Sequence, residues 1–234
     1  MLAGAMCFGF AACGEGETDV GKKIDALTGE EVTEEVWNAV WNKESDAYGN
    51  FKVNYVYTLD EREDGGGSFT TTVQSIHADN KDYMSLSIDS EMGNEETYYY
   101  YDSVIGEYLE KNKMTDDKWV VGTEVSEDLL AFYLIDYCAS IISDSGTYSD
   151  FIYSTEEKGY TLTKREGDST IDEIKLVVKF AEGKLKAIKH YYTRIELEYN
   201  EDNEIVGEKE ITYAESLFYF TYGGQSVTRP EVSE

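Results

Sequence analysis

From residue 50 onward the apolar side chains recur at every second position. Sustained run after run, this period of two commits most of the chain to β-strands. Phe51, Val53, Tyr55, Tyr57 and Leu59 alternate with Lys52, Asn54, Val56 and Thr58. Asp64-Gly65-Gly66-Gly67 then turns the chain into a run at 69–78, and Asp79-Asn80-Lys81 turns it into another at 83–88. Further runs lie at 97–102, 107–110 and 118–122, then at 151–154, 160–165, 174–181, 185–199 and 205–222. Glu182-Gly183 separates two of them as a tight hairpin turn. A single proline, Pro230, suits a chain of long paired strands, because proline cannot donate to a ladder. Ile174, Leu176, Val178 and Phe180 face one way with Lys175 and Lys179 opposite. On the following strand Leu185, Ala187, Tyr191, Ile195, Leu197 and Tyr199 share the inward phase, which sends His190 to the polar face.

Two segments break this period. Over 31–44, Val32, Val36 and Val40 recur at i, i+4 and i+8 with Trp37 and Trp41 beside them, an amphipathic helix with one strongly apolar stripe. Thr28 or Thr33 caps its start, where Glu34 and Glu35 suit the helix dipole. Over 127–143, behind a Ser126 cap, Leu130, Leu134, Cys138, Ile141 and Ile142 share a second helical face. Residues 13–29, small, polar and acidic after Cys13, read as a flexible tether, and residues 224–234 as a frayed tail.

Residues 1–12 hold no Asp, Glu, Lys or Arg and end in Phe10-Ala11-Ala12, directly before Cys13-Gly14. A short apolar segment closed by small residues has the form of a cleaved signal, since a spanning helix needs about 20 apolar residues. It resembles a bacterial lipoprotein signal, in which an aliphatic residue and two small ones precede the acylated cysteine. Phe10 stands where the aliphatic residue is usual. An ordinary secretory signal or a buried apolar first strand is the competing reading. No basic residue precedes the apolar run, so the start codon is expected upstream, or the fragment is truncated. Cys7 is the poorer acceptor, because Met6 fills the place of a small side chain. Several acyl chains on one residue anchor a protein stably where one does not. With Cys7 lost and Cys13 acylated, Cys138 remains alone, so no internal disulfide forms and it behaves as a small core residue.

The formal net charge of −28 argues against nucleic acid, which needs Lys and Arg to displace counterions, and against direct adhesion to anionic lipid headgroups. With 41% hydrophobic and 14% aromatic residues, the chain is a folded domain rather than an acidic disordered tail. His77 and His190, the only histidines, have no Cys or His partner at zinc spacing. Asp60-Glu61-Arg62-Glu63-Asp64-Gly65 has the outline of a calcium loop. Arg62 occupies a ligand position there, and Thr71 stands where the bidentate Glu belongs. No nucleophile elbow, phosphate loop or dinucleotide fingerprint occurs. The chain is therefore expected to be no enzyme, with no metal and no cofactor beyond covalent lipid on Cys13. Its 20 tyrosines, Tyr98-Tyr99-Tyr100-Tyr101 among them, suit cross-strand packing, and equally a cleft lining or a stacking surface for sugars.

A lipobox at Cys13, a polar tether, an early Trp-bearing helix and an acidic, tyrosine-rich sheet together resemble small uncharacterised Gram-positive lipoproteins. Their architecture is similar to that of the LolA/LppX lipoprotein-carrier group. The resemblance implies an α+β fold over residues 30–223, a single domain. Its large curved antiparallel sheet is an unclosed barrel of about 10–11 strands, with two helices packed on the concave side. It implies lipid chains held between sheet and helices. The matching residues here are Val36, Trp37, Val40 and Trp41, with Tyr55 and Tyr99 as candidates from the strands. The expected function is that of an exported, non-enzymatic lipoprotein on the outer face of the cell membrane, binding a lipid or other apolar ligand. The alternative is a cell-surface interaction or glycan-binding lipoprotein that uses exposed tyrosines and has no internal ligand.

Overall fold

The computed structural model describes residues 19–42, 48–62, 65–78, 83–90, 93–101, 106–112, 118–121, 133–167, 170–200, 205–228 and 231. Eleven strands form one open antiparallel sheet: β1 (Phe51–Asp60), β2 (Ser68–Ala78), β3 (Tyr83–Ser90), β4 (Gly93–Tyr101), β5 (Gly106–Asn112), β6 (Val120–Val121), β7 (Ile152–Ser154), β8 (Gly159–Glu166), β9 (Thr170–Ala181), β10 (Lys184–Tyr199) and β11 (Ile205–Tyr222). Their spatial order is β6-β5-β4-β3-β2-β1-β11-β10-β9-β8-β7. The first six strands meander outward to one edge. The chain resumes at the opposite edge with β7 and meanders back, so that the last strand lies beside the first, from Phe51 opposite Tyr222 to Leu59 opposite Ala214. The expected α+β class, with an antiparallel and unclosed sheet, is the one observed.

Among the described residues, three α-helices accompany the sheet: α1 (Asp19–Ala26), α2 (Glu34–Ala39) and α3 (Tyr133–Ser145). Thr33 is the N-cap of α2, its hydroxyl accepting from the Val36 amide at 3.3 Å. The helix expected over 31–44 is thus shorter, and residues 43–47 lie outside the described residues. So do Ser126 and residues 127–132 of the second expected helix.

Both faces of the sheet carry apolar cores. On the front, Trp37 and Val40 of α2 and Leu134, Ile135, Cys138, Ile141 and Ile142 of α3 share one cluster with strand residues such as Phe51, Val53, Leu176, Val178, Phe180, Ile188, Phe218 and Phe220. On the back, Val20 and Ile24 of α1 meet Val56, Ala187 and Leu217. Residues 19–29 are therefore not tether. The only apolar residues on the docked side of α1 are Val20 and Ile24, yet Ile24 is fully buried. Two lysines from distant strands secure it: the Lys179 ammonium donates to the Ile24 carbonyl at 3.1 Å, and Lys189 pairs with Asp25. A cation at the last carbonyls of a helix opposes their partial negative charge.

The chain then crosses the end of the β9–β10 hairpin to the front. Glu30 N–H donates to the Phe180 carbonyl at 2.9 Å, and the Tyr153 hydroxyl donates to the Gly29 carbonyl at 2.9 Å. Tyr148 and Tyr160 each donate to the Val32 carbonyl at 2.8 Å. Glycine is required at position 29, because a Cβ there would lie 2.0 Å from the Lys158 carbonyl oxygen. The hairpin turns at Glu182 (φ 57°) and Gly183 (φ 65°), two left-handed residues as a type I′ turn demands.

A register shift in β10 between Leu185 and Ala187 corrects the phase read from the sequence. Leu185 stays on the front, but Ala187 joins the back core and Ile188 the front one. One extra residue in a strand reverses the facing of all that follow. Tyr191 accordingly lies on the back, within reach of Asp25 and Glu157. His190 turns to the front, where it is only 4% exposed, and His77 is buried as well. His190 is thus not the polar-face histidine that simple alternation suggests.

Candidate functional site

A pocket of about 120 Å³ opens between α2 and the start of β10, lined by Val36, Ala39, Val40, Tyr48, Gly183, Lys184, Leu185 and Tyr222. Helical spacing presents Val36, Ala39 and Val40 on one side of α2. The type I′ turn brings Gly183, Lys184 and Leu185 opposite them, and the end of β11 supplies Tyr222 beneath. The two phenols are tied back into the fold. Tyr48 donates to the Val40 carbonyl, and Tyr222 donates to the Leu185 carbonyl at 2.7 Å. Burial is the main cause that pushes both phenols well above the usual tyrosine range. They offer the pocket ring surface, not charge.

Charge of both signs stands at the rim, where the Glu30 carboxylate accepts from the Gly183 N–H at 2.6 Å. Lys184 lines the opening, and its ammonium and that of Lys186 each lie 5.2 Å from the centre of the Tyr222 ring in a cation–π arrangement. Lys186 also stands 3.9 Å from Glu182. The result is an apolar recess with a lysine at its lip, on a chain whose net charge is −28.

Of the residues expected to bind a ligand, Val36 and Val40 line this pocket. Trp37 does not. It is 2% exposed, ringed by Phe151 at 4.8 Å, Tyr160 at 5.4 Å, Phe180 at 5.5 Å, Tyr148 at 5.7 Å and Trp41 at 6.0 Å between ring centres. Trp41 packs half-buried against the front core. Tyr55 is stacked on Phe218 at 4.4 Å, away from the pocket. Tyr99 stands opposite Met84 and Tyr108 in the ladder, and its side chain, like all of Cys13, lies outside the described residues. Tyr48, Lys184, Leu185 and Tyr222 were not legible as site residues. The turn at Glu182-Gly183 was, but nothing in the sequence connects that turn to Val36.

No group of three His, Cys, Asp or Glu side chains that could hold a metal occurs among the described residues. Within the same residues, no helix is long and apolar enough to cross a membrane. The imidazole of His190 is buried with its Nε2 unpartnered, and burial pulls its pKa from 6.5 down to about 4. Below pH 6.5 the unfolded chain takes up a proton that the folded chain refuses until about pH 4. Stability is therefore complete above pH 6.5 and falls by roughly 3 kcal/mol on the way down to about pH 4. In urea denaturation across that range, His190→Gln is expected to lose this part of the slope while the rest of the acid response persists. An unchanged slope would place the imidazole in contact with water.

The chain matches no protein-family model, and a search of curated proteins finds none similar to it.

Proposed function

We propose that this chain is an exported lipoprotein, anchored through lipid on Cys13 to the outer face of the cell membrane, and a non-enzymatic binder of a small apolar molecule with an anionic head. The pocket beneath α2 carries the reading, because apolar walls and a single lysine at the rim suit an amphiphile whose acidic end faces Lys184. A negatively charged chain repels anions at long range, so the local positive charge of Lys184 is what makes such a ligand tolerable. A sheet curved around α2 and α3, as in the lipoprotein-carrier group, belongs to the same reading.

Volume limits the guest. The pocket's 120 Å³ is slightly less than an engineered cavity of about 150 Å³ that takes benzene, and below the roughly 300–1,000 Å³ of drug-sized sites. Trp37 and its aromatic ring of neighbours fill the space where a long acyl chain would run. The ligand is therefore a short-chain acid, or the end of a longer chain that leaves the rest in solvent.

Titration of the full chain with linear carboxylates from butanoate to palmitate tests this. Affinity is expected to climb about fourfold for each methylene that enters the pocket, then to level off near hexanoate. Ala39→Phe, which fills the recess, is expected to abolish binding. Lys184→Gln is expected to weaken the acids but not the matching alcohols. Absence of saturable binding, or binding indifferent to Ala39→Phe, would contradict the reading.

A further inference from the structure

Away from the pocket, the front of the sheet carries a second cluster of aromatic side chains. Tyr57 of β1 stands opposite Ser216 of β11, which stands opposite His190 of β10, and Tyr192 lies one step along the same face. The ladder shifts register between Tyr192 and Thr193, where β11 carries Tyr213 as an extra residue. From α3, Tyr137 reaches over to Tyr55 at 6.1 Å and to Phe218 at 5.9 Å. Tyr192 lies 4.4 Å from the His190 ring and 6.2 Å from Tyr213, and Tyr57 lies 5.9 Å from Phe69. Tyr137 and Phe69 are 36% and 39% exposed, while Tyr57, Tyr192 and Tyr213 are half-buried, so the cluster meets solvent.

Three features identify what it suits. Electron-rich ring faces attract cations, and a guanidinium already occupies one of them: Arg194 lies 5.7 Å from the centre of Tyr213. Burial first, and among the lesser causes nearby acidic charge, Glu61 for Tyr57 and Asp172 for Tyr213, raises the pKa of these phenols. The chain as a whole, at −28, draws cations toward it. Beneath the rings, His190 is held neutral by burial and adds no charge to that of Arg194. Burial, then the neighbouring phenols, raises the pKa of Tyr57 and Tyr192, as expected of hydroxyls crowded together.

We propose that Tyr57, Tyr137 and Tyr192 form an aromatic site for an organic ammonium ion, beside Tyr213 with Arg194 already set against it, and distinct from the pocket under α2. A small hydrated metal ion would gain less here than a soft, weakly hydrated cation that can shed water onto ring faces. A neutral sugar would stack on the rings but gain nothing from the charge.

Choline titrated into the full chain, followed by NMR of the tyrosine rings or by calorimetry, is expected to bind saturably. Its neutral isostere 3,3-dimethyl-1-butanol should bind at least tenfold more weakly. Tyr192→Leu and Tyr57→Leu, each checked for an unchanged thermal melt, should each weaken choline at least tenfold. Tyr192→Phe, which keeps the ring, should stay within a few-fold of the parent. Ala39→Phe should leave choline binding intact, which separates this site from the pocket. Equal affinity for the neutral isostere, indifference to both leucine variants, or binding of cellobiose without choline would each overturn the proposal.

Discussion

Cys13→Ser is expected to transfer the protein from the membrane fraction to the soluble one. The sequence before it is apolar and uncharged, and two alanines stand where a signal peptidase needs small side chains. No helix of the described residues is long and apolar enough to cross a membrane, and a net charge of −28 disfavours adhesion to anionic headgroups. Under the proposed reading the thiol carries the attachment, so its removal is expected to release the domain. The docking of α1 adds a geometric consequence. Six residue steps separate Cys13 from Asp19, a span of at most about 20 Å even if fully extended. With lipid on Cys13, as proposed, a tether of the length read from the sequence would let the domain roam, whereas six steps would keep the α1 face close to the bilayer. Fractionation with an antibody to the folded domain measures the effect. Equal membrane retention of the serine variant would remove the lipid anchor from the account.

Trp37→Ala is expected to destabilise the domain by about 3–5 kcal/mol, a large share of the roughly 5–15 kcal/mol available to a domain. Five aromatic rings surround the indole, from Trp41 just beyond α2, the 3-10 turn at Tyr148–Asp150 and its exit, β8 and β9. None of them can close the void without leaving its own contacts. Phe151 and Phe180 are buried in the same core, and Tyr148 and Tyr160 are held by hydrogen bonds to Val32. Trp37→Phe should cost much less, since the smaller ring retains part of the packing. Urea denaturation of the two variants gives the comparison. Were Trp37→Ala as stable as the parent but deficient in carboxylate binding, the indole would be a ligand wall, as the helical stripe alone suggested.

The contrast between Trp37 and Val36 shows what the sequence could and could not convey. Period-two alternation and glycine-rich turns place the strands because both are local signals, and β9, β10 and their Glu182-Gly183 turn are found where the pattern puts them. Thr33 and the valine spacing likewise locate α2. Helix α1 escapes, since Val20 and Ile24 are too sparse an apolar stripe to stand out from a polar tether. What holds it, Lys179 and Lys189, lies more than 150 residues along the chain. The phase of β10 escapes for a related reason: a single register shift after Leu185 reverses His190 without altering the composition of the strand. The pocket escapes because its walls come from α2, a hairpin and the last strand, which only the long-range ladder brings together.

The most direct measurement is a crystal structure with hexanoate bound. The account predicts its alkyl end among Val36, Val40, Leu185 and Tyr222, with the carboxylate turned toward Lys184. Side chains closing the recess, or hexanoate seated elsewhere on the chain, would contradict it.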